Sequence, residues 1–158
     1  MKWSADPRIL RDPVHFVAFG FGTGLSPVAP GTFGTLVGVL LVWLVAPHGP
    51  MVHLAVVGLG FALGVYVCGE SARRLGVHDH GGIVWDEVIG YAITMAAVPP
   101  DPLWMLAGFA LFRLFDILKP WPIREADHSL KGGLGIMLDD VLAGIFAGTI
   151  LYVAHLLL

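Results

Sequence analysis

The chain has 158 residues, of which 56% are hydrophobic and 13% charged, and its formal net charge is -3. Soluble domains carry roughly a quarter charged residues, so this composition points to lipid rather than water, with a soluble helical bundle as the main alternative, and so small a net charge gives no ground for a nucleic-acid partner. The length suits one domain, residues 1–158, and a single cysteine, Cys68 in an apolar run, excludes an internal disulfide.

The opening residues, MKWSADPRILRDPVHF, lack the apolar core and cleavage site of a secretory signal and are expected to stay attached. Arg8 and Arg11, followed by Val14, Phe16, Val17 and Phe19, predict a short amphipathic segment against a membrane surface. Next comes GFGTGLSPVAPGTFGTLVG, from Gly20 to Gly38. Gly24 and Gly31 permit close backbone approach there, and Ser26, Thr32 and Thr35 supply hydroxyls. A helix beginning near Gly31 or Thr32 would aim free amides and its positive dipole end at a phosphate. The same residues serve as an N-cap at Ser26 or Thr32 with packing glycines at Gly31, Gly34 and Gly38, and taken alone this second reading is the stronger. No Gly-Lys-Ser/Thr follows, which excludes the nucleotide-binding P-loop.

Five apolar stretches follow in order: Phe33 to Ala46, Val52 to Gly69, Ile83 to Val98, Leu103 to Leu118 and Leu134 to Leu158. Helices are expected throughout, because an open strand in lipid leaves backbone donors without partners. About 20 residues are needed to cross a hydrocarbon core, so only the second and fifth qualify comfortably; the others are partial spans or buried helices. Pro- and Gly-rich breaks separate them, and the short links Pro47 to Pro50 and Pro99 to Pro102 predict antiparallel neighbours in an all-α, membrane-embedded bundle of about five helices. Between the second and third stretches, His78 and His80 flank Asp79, a spacing too common in loops to argue for a transition metal. GIFAG, Gly144 to Gly148, would pack a helix dimer, and so a homo-oligomer, or its own neighbours equally well.

Threading five spans sorts the basic residues by loop. Lys2, Arg8 and Arg11 precede the first; Arg73 and Arg74 follow the second; Arg113, Lys119, Arg124 and Lys131 cluster at the end of the fourth. The other loops have none, which predicts a cytoplasmic N-terminus. The acids follow the same pattern, with Asp86 and Glu87 at the start of the third span, Asp116 in the last turn of the fourth, and Asp139 and Asp140 about two turns into the fifth. An Asp within a membrane costs roughly 2.5–3.5 kcal/mol on insertion scales, so five at one depth ask for a cause. Adjacent helical residues diverge by about 100°, so one acid of each pair is expected to face the shared centre. Packed acids repel one another unless a cation neutralises them, and oxygen ligands favour a hard ion such as Mg²⁺ over softer metals. Salt bridges to Arg113, Lys119 and Arg124 explain any one acid as well as a metal does, though not all five.

Four strings in one order, GFGTGLSPVAPGTFGTLVG, HDHGGIVWDEVIG, FRLFDILKPWPI and GGLGIMLDDVLAG, closely resemble the phosphatidylglycerophosphatase A family from about Phe16 to Gly148. The resemblance implies Mg²⁺-dependent hydrolysis of the terminal phosphate of a phospholipid substrate, phosphatidylglycerophosphate, at a bacterial inner membrane. It nominates Asp79, Asp86, Glu87, Asp116, Asp139 and Asp140 as the acidic set, with Lys119 and Arg113 beside them; the mechanism expected from them takes Asp79, Asp86, Asp116 and Lys119 as catalytic, Asp86, Glu87, Asp139 and Asp140 as metal ligands, and Arg113 and Lys119 with Gly24, Ser26, Gly31, Thr32 and Thr35 as phosphate-binding. Two other classes remain open at this point: an ion- or proton-coupled transporter, since intramembrane acids also mark ion paths, and a non-catalytic membrane subunit.

Overall fold

A computed structural model describes residues 6–158, the side chains of Asp127 and His128 excepted. Lys2, counted among the N-terminal cations, lies outside the described residues. The described chain is helical throughout, with α1 at Pro13–Ala18, α2 at Pro30–Val45, α3 at Pro50–Leu75, α4 at Trp85–Met95, α5 at Pro102–Leu118, α6 at Ile123–Ser129 and α7 at Gly132–Leu157. Proline occupies the first turn of α1, α2, α3 and α5, where its missing N–H leaves no hydrogen bond unmade. Asp101 caps α5 by accepting from the Leu103 and Trp104 amides, each at 3.1 Å.

Each of the five apolar stretches forms a helix, but they are not five equal spans. Among the described residues, three helical segments are long and apolar enough to cross a membrane: Pro30–His48, Pro50–Leu75 and Gly132–Leu157. The first gains length from a turn of 3₁₀ helix, Ala46–His48, that continues α2. α4 has only 11 residues, about 16 Å at 1.5 Å each, and nine of them are buried. It is the centre of the bundle rather than a crossing element. α2 and α3 are joined by a tight link yet touch sparsely, because α4 is inserted between them and each packs on it instead.

Glycines spaced by four residues make that insertion possible. Gly34 and Gly38 of α2, Gly60 and Gly64 of α3, and Gly144 and Gly148 of α7 all face α4. A methyl group on Gly38 would stand 2.9 Å from the Val88 carbonyl, and one on Gly148 would stand 3.1 Å from the Thr94 carbonyl. Small residues at this spacing let helix backbones approach closely where lipid offers no hydrophobic drive. The GIFAG glycines are therefore used within the chain. Adding a methyl at Gly144, 2.5 Å from the Gly90 carbonyl and 3.2 Å from Ile93 Cβ, forces backbones apart. Gly144→Ala is expected to destabilise the fold by about 1–3 kcal/mol, read as a lowered unfolding midpoint in detergent.

Polar contacts fix the height of α4. Trp85 Nε1 donates to the Gly60 carbonyl at 2.9 Å, the Val84 amide donates to the Ala18 carbonyl at 2.9 Å, and His53 Nε2 lies 2.7 Å from the Ala92 carbonyl. At the N-terminal side, His15 Nδ1 meets Ser71 Oγ at 2.8 Å, both buried, and so docks α1 on α3. Asp12 pairs with Arg74 nearby, and the Val14 amide, with Arg74 adding to it, holds the Asp12 carboxyl below its usual range. The expected surface segment turns most of its apolar residues inward: Phe19 is fully buried and Val14 and Val17 pack against the same core, while Phe16 stays 40% exposed with its ring 5.4 Å from that of Phe21.

Candidate active site

One end of the bundle gathers the start of α2, the start of α4, the last turns of α5 and the second and third turns of α7. Asp86, Glu87 and Asp140 each present a carboxylate oxygen there, and these oxygens lie within 4.8 Å of one another. Asp86 and Asp140 are buried, and Asp86 Oδ1, Glu87 Oε2 and Asp140 Oδ2 have no hydrogen-bond partner among the described residues. Buried carboxylate oxygens are costly to leave unsatisfied, so three converging acids that each carry one suit a cation or a donor-rich group. Asp86 and Glu87 both reach this point. The expectation that one of each adjacent pair would do so misjudged glutamate, whose extra methylene carries its carboxylate back toward its neighbour's. In the second pair the divergence holds: Asp140 joins the group, and Asp139 Oδ2 stands 2.6 Å from Lys119 Nζ.

The cations lie beside the acids. Arg113 bonds Asp116 one turn away, and its Nη1 is 3.8 Å from Glu87 Oε1. Asp116 also lies next to Asp140, so it bridges the arginine and the carboxylate group. Gly31 closes the other side: a methyl group there would overlap Glu87 Oε1 and stand 2.9 Å from Arg113 Nη1. Pro30 has no amide hydrogen, and the Thr32 and Phe33 amides donate to the Ala29 carbonyl, which leaves Gly31 as the amide donor of the first turn of α2. Positive φ marks three non-glycine residues among those described, and two border this space, Ala29 at 47° before α2 and Lys119 at 43° after α5. A left-handed lysine is uncommon, and such conformations concentrate where a site demands them.

Other nominated residues take different places. The N-cap of α2 is Ala29, not Ser26 or Thr32; Ser26 Oγ donates to the Val28 carbonyl at 2.8 Å. Thr35 is fully buried and donates to the Gly31 carbonyl at 2.8 Å, so it braces the first turn of α2. Gly24 is a packing residue, since a methyl there would overlap the Gly82 carbonyl. Asp79 sits exposed on the 76–84 loop, outside the three converging carboxylates. His80 is a loop residue too: its Nδ1 accepts from the Gly82 amide at 3.0 Å, its ring lies 5.5 Å from that of Phe19, and partial burial lowers its pKa. Sequence reasoning missed Trp85 and His53, whose bonds set the depth of the helix carrying Asp86 and Glu87. A tryptophan directly before an Asp-Glu pair is the signal that was available.

Comparison with known proteins places the chain in a family. The family model described as phosphatidylglycerophosphatase A matches residues 16–155. A protein of Escherichia coli K12 named phosphatidylglycerophosphatase A is 48% identical over 144 residues, covering 90% of this chain and 84% of that one. A Haemophilus influenzae protein of the same name is 50% identical over 145 residues, covering 90% and 89%. A Bacteroides thetaiotaomicron protein named putative phosphatidylinositol-3-phosphatase is 36% identical over 147 residues, covering 88% and 91%. No solved structure matches the chain. An all-helical chain with three apolar helices of spanning length, so matched, is a membrane-associated phosphoric monoester hydrolase. It belongs to the phosphatidylglycerophosphatase A family.

Proposed function

We propose that this chain is a Mg²⁺-dependent phosphatidylglycerophosphatase that removes the terminal phosphate of phosphatidylglycerophosphate at the cytoplasmic face of a bacterial inner membrane. The observation that carries the reading is the meeting of three carboxylates, from α4 and α7, with Arg113 of α5 and Gly31 of α2. The orphaned oxygens of Asp86, Glu87 and Asp140 suit Mg²⁺, a hard ion that binds through one or two carboxylates and completes its shell with water and phosphate oxygens. When bound, the ion supplies charge neutralisation for a phosphoryl group and a water of lowered pKa.

The chain's own groups do the rest. Arg113 offers a planar fork that matches two phosphate oxygens, and Asp116, bonded to it, fixes the orientation of that fork. The Gly31 amide adds a donor at the positive end of α2, and the missing side chain there lets phosphate approach the backbone. Lys119 adds a second positive charge, and its bond to Asp139 ties the end of α5 to α7. A site at the ends of these helices, rather than at mid-bilayer, leaves the diacyl chains in lipid while the phosphate enters, which favours hydrolysis over ion transport. Sorting of Arg73, Arg74, Arg113 and Lys119 to this same end supports the cytoplasmic orientation.

The test measures phosphate release by purified protein in detergent from phosphatidylglycerophosphate, phosphatidic acid, a phosphoinositide monophosphate and a soluble phosphomonoester. Phosphatidylglycerophosphate is expected to be the best substrate, with turnover lost on chelation and restored by Mg²⁺. Turnover that persists in chelator would refute the metal, and preference for the phosphoinositide would transfer the reading to the activity named for the Bacteroides relative.

A further inference from the structure

We propose that the seam between α2 and α5 holds one acyl chain of the lipid whose phosphate reaches Arg113, so that this groove selects for chain length; the inference rests on the lipid-phosphatase reading above. The groove has a volume of about 420 Å³ and is lined by Leu36 and Val39 of α2 and by Pro102, Met105, Leu106 and Phe109 of α5. Every lining residue is apolar. At 100° per residue, Pro102, Met105, Leu106 and Phe109 fall within one arc about 100° wide, and Arg113 falls inside the same arc. The groove wall on α5 thus runs straight into the guanidinium that faces Glu87.

The opposite wall behaves the same way. Thr32, Leu36 and Val39 follow at intervals of four and three residues, so the apolar strip on α2 leads back to its first turn, beside Gly31. Eleven residues separate Pro102 from Arg113, about 16 Å along a helix, so the apolar wall extends from the phosphate toward the opposite end of the bundle, where Pro99 and Pro100 meet Ala46 and Pro50.

The size of the groove argues against a second copy of the protein as its occupant. Six lining side chains fall far short of the roughly 20–30 residues a side that a stable protein interface uses. Leu36 and Leu106 remain 49% and 68% exposed, open to the lipid from which a substrate would slide in sideways. The cation at one end and uncharged walls elsewhere match an anionic headgroup on an apolar tail.

The experiment compares long-chain and dihexanoyl phosphatidylglycerophosphate as substrates for the full-length protein and its Leu36→Trp and Leu106→Trp variants, each first shown to melt like the parent. Filling the groove is expected to raise KM for the long-chain lipid about tenfold more than for the dihexanoyl one, the scale on which apolar pockets discriminate methylenes. Equal effects on both lipids, or none on either, would overturn the proposal. A parent protein that hydrolyses neither lipid would overturn the phosphatase reading itself, which is a separable failure. A long-chain analogue with a diazirine near the acyl terminus should label peptides containing Leu36 or Leu106. Labelling spread evenly over all lipid-facing helices, or cross-links joining two chains through this seam, would also overturn it.

Discussion

Asp140→Asn and Glu87→Gln are each expected to lower phosphate release on the order of a thousandfold, the several kcal/mol that a bound metal contributes to stabilising phosphoryl charge. Both side chains keep their shape under the substitution, and each loses the charge on which the proposed cation site depends. The protein should therefore still elute as a single species with unchanged helical content. Its unfolding midpoint should stay level or rise, because removing one of several mutually repelling buried charges relieves the fold. Asp139→Asn provides the contrast. Its carboxylate bonds Lys119 outside the group of three, so the loss should be about 10–100-fold, as for residues that orient ligands rather than serve as ligands. A full thousandfold loss at Asp139 with little at Asp140 would reverse the roles assigned to the pair.

The second large effect concerns a position with no side chain. Gly31→Val would push groups against Glu87 and Arg113, and a misplacement of about 1 Å at reacting groups is worth roughly 100-fold in rate. Its signature differs from that of Gly144→Ala. At Gly31 the atoms in the way are the far ends of two flexible side chains, which can swing aside, so activity falls while the unfolding midpoint moves little. At Gly144 the nearest atom is a backbone carbonyl, which cannot swing, so stability falls first. Measuring turnover and midpoint for both variants separates a rate defect from a packing defect. A Gly31→Val protein that unfolds early while its surviving fraction turns over normally would show that Gly31 is a packing residue only.

The helices were readable from the sequence because their apolar runs and Pro-rich breaks are strong local signals. The convergence of Asp86, Glu87 and Asp140 was half readable: the end of the bundle followed from charge sorting, whereas the shared point depended on the reach of the Glu87 side chain. The burial of α4 was not readable from its own composition, since a central helix and a short span look alike in apolar content. The information lay in other segments, in the paired glycines of α2, α3 and α7, whose spacing reads only as generic close packing until their common partner is known. Ser26 and Thr35 were nominated for their hydroxyls, and local backbone acceptors took both, a competition that residue type alone does not decide.

The short central helix also bears on how the protein is made. An 11-residue segment with two acids in its first turn is too short and too polar to partition into lipid by itself. It becomes soluble in the membrane only when the glycine faces of its neighbours wrap it, and one of those faces belongs to α7, which is synthesised well after α4. Asp86 and Glu87 therefore have no stable home until α7 has been made, and nascent chains halted before residue 132 should be held by the insertion machinery or degraded rather than released as partial bundles.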